Sequence, residues 1–290
     1  MSFYQKLISG TPTLSYEVFP PKNPAEWETL YTTLGQISRQ KPDFISVTYR
    51  GGVSTRERTV ELVGRIQREL AIETVAHLTC ISHSAEEIRE ILESLEAAGV
   101  RNIIALRGDR PKQKPTNGME HASDFITLAR GCFGGHIACA YHPEKHPEAA
   151  TIEDDIQYLK LKQDNGADFA ISQFFFDNED FFRFRDMARA AGVTLPLLVG
   201  MMPIDSLSQL PRLAQMNGKP VSDKLIRFLG EGSPEEISQR GVEYSIAQSR
   251  ELLENGAAGI HLYTLNKSAA AGRITKGLRA LGYFPISAGS

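Results

Sequence analysis

Short runs of aliphatic, β-branched and aromatic residues alternate along this chain with longer stretches in which apolar positions recur every three or four residues. That rhythm predicts parallel strands, each followed by a helix. Eight strand segments can be read: SYEVF (15–19), DFISVTY (43–49), TVAHLTC (74–80), NIIALRG (102–108), HIACAYH (136–142), FAISQFFF (169–176), LPLLVGMM (195–202) and GIHLYTL (259–265). Residues 84–99, SAEEIREILESLEAAG, illustrate the helical half of a unit. Ser84 offers a cap, acids fill the first turn, Ile88, Ile91, Leu92 and Leu95 share a face, and Gly99 stops the helix. Between the last two strands the pattern predicts extra helices near 206–216, 221–230 and 234–255. Eight βα units in 290 residues match a (β/α)₈ TIM barrel, an α/β fold, better than an open sheet, as a single domain over 1–290.

A barrel tells where chemistry sits, because functional groups project from the carboxyl ends of its strands and the loops that follow. Polar residues gather at seven of the eight predicted ends: Glu17; Thr48 and Tyr49; His77 and Thr79; Arg107 and Asp109; His142; Gln173; Tyr263 with Asn266. Each alone is equally a loop residue or a satisfied polar group. Glu17 is the sharpest of them, a lone carboxylate in an apolar run just before Pro20 and Pro21. An unpaired buried carboxylate costs several kcal/mol if it stays ionised, so Glu17 has either a partner or a task.

Composition narrows the field. Apolar residues make up 41% and charged residues 23%, ordinary for a globular protein, and the formal net charge is −3 with Lys and Arg dispersed. No electrostatic footprint for nucleic acid exists, so small-molecule partners are expected. The start, MSFYQKLISG, lacks the apolar stretch of a signal peptide, and no run is long enough to span a membrane. A cytoplasmic location is expected. Cys80, Cys132 and Cys139 form no C-x-x-C pair, which points to reduced thiols rather than disulfides or a thiolate zinc site.

Two strings carry further candidate chemistry. HPEKHPE (142–148) sets His142 and His146 four apart, a zinc-like spacing on a helix, but Pro143 and Pro147 disfavour the helix and the glutamate is misplaced. A loop whose histidines bond an anionic ligand fits better, and no metal site is assigned. In ALRGD (105–109), Gly108 permits a tight turn, and Arg107 either pairs with Asp109 or joins it in a site with both charges fixed. Neither G-x-G-x-x-G nor G-x-x-x-x-G-K-[ST] occurs, so any dinucleotide is held without a Rossmann or P-loop turn.

Taken together, SYEVFPPK, DFISVTY, HLTC, ALRGD, HPEKHPEA, the stretch from Asp155 to Lys162, SQFFFD and LYTLN resemble, in order and spacing, the methylenetetrahydrofolate reductases of the bacterial single-barrel type. The resemblance runs from about residue 14 to residue 284. It implies a barrel flavoprotein that reduces 5,10-methylenetetrahydrofolate to 5-methyltetrahydrofolate with NADH or NADPH, by ping-pong kinetics through FAD. Glu17 matches the family's proton donor for opening the methylene bridge to an iminium, and its apolar neighbours are expected to withhold water and favour the neutral acid. Asp109 matches an aspartate near the flavin that also contacts the folate. Gln173, Gln209 and Lys267 match folate contacts. The positions implied to line FAD are Thr48, Tyr49, His77, Leu106, Arg107, Gly108, Asp109, His121, Ala122, Ala140, His142, His146, Ala149, Asp155 and Lys162. Among these, Arg107 and Lys162 suit the pyrophosphate and Asp155 a ribose hydroxyl.

The chain departs from the better-known members at four positions. His121 and His142 stand where those carry tyrosine, Lys267 where they carry arginine, and Leu213 where a phenylalanine covers the substrate. The family commonly self-associates, so a homo-oligomer is expected. Three other readings stay open: a flavin-independent reductase, a metal-dependent lyase or hydrolase on the same barrel, and a barrel that binds folate or flavin without turnover.

Overall fold

The computed structural model describes residues 1–49, 53–110 and 118–286, with the side chains of 53–57 outside that description. The first half runs α1 (Phe3–Ile8), β1 (Thr13–Val18), α2 (Trp27–Ser38), β2 (Phe44–Val47), α3 (Val53–Leu70), β3 (Glu73–Thr79), α4 (Ala85–Ala97) and β4 (Asn102–Leu106). The second half runs α5 (Ala122–Cys132), β5 (His136–Tyr141), α6 (Ile152–Asp164), β6 (Phe169–Ser172), α7 (Asn178–Ala190), β7 (Leu197–Met201), α8 (Leu210–Asn217), α9 (Asp223–Leu229), α10 (Pro234–Glu254), β8 (Gly259–Tyr263) and α11 (Ala269–Ala280). The strands close into a barrel in sequence order, all parallel, with β1 pairing both β2 and β8. The TIM-barrel expectation holds, and the predicted insertion appears as α8, α9 and α10.

Strand alternation divides the side chains into two layers. In β1, Leu14, Tyr16 and Val18 join the core between sheet and helices, with Leu30, Leu34 and Ile37 of α2 and Ile274 and Leu278 of α11. Tyr16 is fully buried and its hydroxyl meets Thr275 Oγ1 at 2.5 Å, while burial pushes its phenol up to about 12. The barrel interior has its own apolar cluster of Phe44, Val75, Ile104, Ala138, Phe169, Ile171 and Leu198. These residues sit low, so the interior above them is free to be polar.

Two features were not legible in the hydrophobic pattern. Helix α1, capped by Ser2 through a capping box, closes the amino end of the barrel: Phe3 lies 4.6 Å from Phe44 and 5.5 Å from Phe169, ring centroid to centroid. Several strands also stop short of their predicted ends, most of all the sixth, which ends at Ser172 rather than at 176. Phe174 and Phe176 leave the barrel there and pack with Met202, Ile204, Leu210, Leu213, Leu225 and Leu229 under the insertion. Hydrophobicity reports that a residue is buried but not which partner buries it. No helix among the described residues is long and apolar enough to cross a membrane.

The floor predicts an effect on stability. Phe44→Ala should cost about 3–5 kcal/mol, read from urea unfolding, with secondary structure unchanged at low denaturant. A loss below about 1 kcal/mol, the cost of a volume-conserving swap, would show that α1 does not seal the barrel.

Candidate active site

Glu17 is the penultimate residue of β1 and faces the barrel interior near its carboxyl end, with 18% of its side chain exposed. Its backbone is held from β8 and the turn beyond. Thr264 Oγ1 donates to Glu17 O at 2.6 Å, and Asn266 brackets Phe19 by accepting from its N–H at 2.9 Å and donating to its carbonyl at 2.8 Å. Leu265 and Asn266 adopt left-handed backbone (φ 49° and 59°) to make that turn, a conformation asparagine tolerates better than most residues. The LYTLN string is therefore the clamp that fixes the strand carrying Glu17.

The surroundings of Glu17 correct the expectation of apolar neighbours. Its Oε2 lies 3.3 Å from His77 Nε2 on β3 and 3.6 Å from His261 Nε2 on β8. Burial is the chief cause that pushes the His77 imidazole down to about 4, against the pull of the Glu17 charge. Apart from that 3.3 Å contact with Glu17, the buried Nε2 of His77 makes no hydrogen bond among the described residues. Tyr263, next on the inward face of β8, donates to Ser172 O at 2.6 Å, and burial followed by the Glu17 charge raises its phenol well above the usual value. Gly200 makes room for it, since a Cβ there would lie 2.4 Å from Ser172 O and 2.5 Å from Tyr263 Cε2.

The β4 and β5 ends form a second sector. Leu106 ends β4, and Gly108 turns the chain with φ +88°. Arg107 pairs across the mouth with Glu148, at 2.5 and 2.9 Å, rather than with Asp109, and Arg110 approaches the same carboxylate at 3.7 Å. The Arg107 guanidinium holds the Glu148 carboxyl at about 2. Asp109 is exposed beside this pair. The rings of His142 and His146 meet edge-to-face at 4.6 Å. Burial, then His146 and Lys162, push His142 down to about 3, and burial also lowers His146. Asp155 accepts from His146 N at 2.9 Å, Lys162 donates to Ala140 O at 2.9 Å, and Ala149 O accepts from Lys145. Among the described residues no group of three or more His, Cys, Asp or Glu is placed to hold a metal ion.

The remaining sites expected from sequence are distributed around the same mouth. Thr48 and Tyr49 follow β2; Thr48 Oγ1 is buried without a partner among the described residues, and the Tyr49 hydroxyl lies 2.7 Å from His83 Nε2. His121 is an exposed residue at the cap position of α5, just before Ala122, and its side chain makes no cap bond. Gln173 follows β6 and accepts from Phe174 N at 3.1 Å. Gln209 ends a short 3₁₀ turn, Leu207–Gln209, and accepts from Asp205 N at 2.8 Å. Lys267 is exposed after β8. Leu213 is buried in the core under the insertion. Glu144 extends the β5 loop to that insertion by accepting from Asn217 Nδ2 and standing 3.7 Å from Lys219 Nζ. Sequence reading missed two residues here, His261 and Glu148. His261 carried a usable signal, a titratable side chain inside the apolar run GIHLYTL; Glu148 did not, because its partner lies 41 positions away.

Comparison with known proteins identifies the relatives of this chain. A family model described as Methylenetetrahydrofolate reductase matches residues 2–279. The 5,10-methylenetetrahydrofolate reductase of Pectobacterium carotovorum subsp. carotovorum is 35% identical over 263 residues, covering 90% of this chain and 88% of the relative. That of Escherichia coli (strain K12) is 33% identical over 264 residues, with the same coverage, 90% and 88%. Among solved structures, an uncharacterized protein from Clostridium thermocellum that binds two copies of 5-methyl-5,6,7,8-tetrahydrofolic acid superposes with a TM-score of 0.66 over 96% of this chain and 98% of its own. At 15% identity that likeness speaks for the fold alone, as does a 2,3-dimethylmalate lyase at 12% identity and TM-score 0.56, over 97% of this chain and 84% of its own.

The two depressed imidazoles predict how stability depends on pH. His77 and His142 titrate near 4 and 3 when folded but near 6.5 when unfolded. The unfolded chain therefore binds more protons below about pH 6.5, so stability is retained above that value and falls as pH drops through the window. Urea midpoints should decline across it, and less steeply in His142→Asn; equal slopes would contradict the assignment.

Proposed function

Because the chain belongs to the methylenetetrahydrofolate reductase family, we propose that it reduces 5,10-methylenetetrahydrofolate to 5-methyltetrahydrofolate with electrons from NADH or NADPH through FAD. The observation that carries this reading is the shared mouth. Glu17, Asp109 and Gln173 stand at or just past the carboxyl ends of β1, β4 and β6 on a chain matched over nearly its whole length. One mouth serving both substrates in turn gives ping-pong kinetics. The reading carries with it a cytoplasmic location and a self-associating chain.

The residues present fit the flavin. Thr48 Oγ1 is a buried polar atom without a partner among the described residues, and such an atom calls for a ligand or water. Arg107 and Lys162, with the imidazoles of His142 and His146, provide donors for a pyrophosphate, and Asp155 an acceptor for a ribose hydroxyl. Tyr49, Leu106, Gly108, His121, Ala122, Ala140 and Ala149 complete the lining. Arg107 must share its guanidinium between Glu148 and the incoming phosphate. When bound, FAD supplies two-electron transfer between nicotinamide and folate.

The chain's own groups manage protons and charge. Glu17 delivers a proton to the folate nitrogen that departs as the methylene bridge opens, leaving an iminium carbon able to accept hydride. The Asp109 carboxylate favours that cation over its neutral precursor. Gln173 and Gln209 already use their amide oxygens on backbone N–H groups, which leaves each amide NH₂ to donate to the folate. Lys267 offers a charge to a folate carboxylate.

Anaerobic addition of NADH and then methylenetetrahydrofolate, with the flavin absorbance followed, separates the two halves of the reaction. Glu17→Gln should lose about 10²–10⁴-fold in folate reduction while NADH still bleaches the flavin; retained folate turnover would refute the role of Glu17. Asp109→Asn should slow folate reduction more than flavin reduction, and an equal loss in both halves would contradict the electrostatic role.

A further inference from the structure

Arg107 has two anions to serve, and the carboxylate of Glu148 already engages its fork. The two oxygens of Glu148 accept from Arg107 Nη1 and Nη2 at 2.5 and 2.9 Å, and Arg107 Nε donates to Gly108 O at 3.2 Å. All three guanidinium nitrogens are thereby committed, and each Nη keeps one further N–H. The fork that an arginine presents to a carboxylate is the same fork that it presents to a phosphate. Glu148 therefore stands on the face of Arg107 that suits a diphosphate best.

The neighbours of this pair offer further donors. The backbone N–H of Glu148 donates to His146 Nδ1 at 3.1 Å, and burial lowers that imidazole, so the neutral ring carries its proton on Nε2. Lys162 spends one of its three N–H groups on Ala140 O at 2.9 Å and keeps two. Asp155 is occupied by His146 N at 2.9 Å. The Glu148 side chain is 47% exposed, and an ion pair so open to water contributes little to stability. Arg110 Nη2 lies 3.7 Å from the same carboxylate and is itself on the surface.

We propose that Glu148 competes with the diphosphate of the cofactor for the Arg107 fork, so that binding exchanges one anion for another and Glu148 limits flavin affinity. The inference rests on the reading of the mouth as a flavin site. Bonds are conserved at Arg107 in this exchange: two N–H contacts to a carboxylate break and two to phosphate oxygens form. The freed carboxylate turns toward Arg110, which is already within reach. Affinity is then the difference between two similar forks rather than the full strength of one, and a side chain that loses the carboxylate removes the competitor.

The test measures FAD binding to the full chain, freed of flavin, by the quenching of flavin fluorescence. Glu148→Gln keeps the side-chain length and removes the charge, and it should bind FAD about fivefold more tightly than wild type at low salt. The gain should shrink below about twofold near 1 M salt, where screening acts within about 3 Å. Glu148→Ala should move in the same direction and stands in if Glu148→Gln does not fold. Binding no tighter than wild type overturns the inference, and weaker binding would show instead that Glu148 holds Arg107 in place for the cofactor. A fivefold gain that survives 1 M salt overturns it too, because packing rather than charge would then be the cause. Binding by the variants alone is the extreme of the expected result. Failure of wild type and both variants to bind FAD sinks the flavin reading and this inference with it.

Discussion

A carboxyl group drawn into a protein must be given partners, and in this molecule barrel closure provides them. Pairing of β1 with β8 in the register Ser15 to His261 and Glu17 to Tyr263 sets the inward residues of both strands side by side. Strand β3, two places around the barrel, adds His77. The seam where first and last strands meet is therefore both the element that completes the fold and the place where Glu17, His261 and Tyr263 are brought together. A slip of one residue would turn Ser15 and Glu17 into the helix layer and Tyr16 into the interior.

The mouth above that seam is electrically divided. One side, from β4, β5 and α6, is crowded with Arg107, Lys162, His142 and His146 and suits an anionic cofactor. The other, from β6, β8 and the insertion, offers amides and an exposed lysine. Glu148 and Glu144 stitch the parts together, the first tying the β5 loop to Arg107 and the second to Asn217 and Lys219 beyond α8. Of the positions expected from the resemblance to differ from better-known relatives, His142 is packed beside His146 and Lys162, and Leu213 in the core under the insertion. His121 and Lys267 stay exposed. The first pair changes packing within the protein; the second lies where the surface is exposed.

The partners of Glu17 show where reading from sequence reaches its limit. An isolated carboxylate in SYEVFPP pointed to either a partner or a task, and the apolar letters on either side suggested desolvation as its device. Those letters, Tyr16 and Val18, face the helix layer instead. The groups that reach the carboxyl come from residues 77 and 261, and only a closed sheet brings them within 3.3 and 3.6 Å.

Local pattern determined the eight βα units, the three inserted helices, the capped start of α4 at Ser84 and the set of polar strand ends, because periodicity, caps and turn residues act over a few neighbours along the chain. Tertiary structure alone decided which alternate side chains look inward, that Phe3 seals the floor, that Arg107 finds Glu148 rather than Asp109, and that Glu17 stands between two imidazoles. Each of those contacts joins residues tens to hundreds of positions apart, and their distances are set by the closure and register of the barrel, which no local window contains.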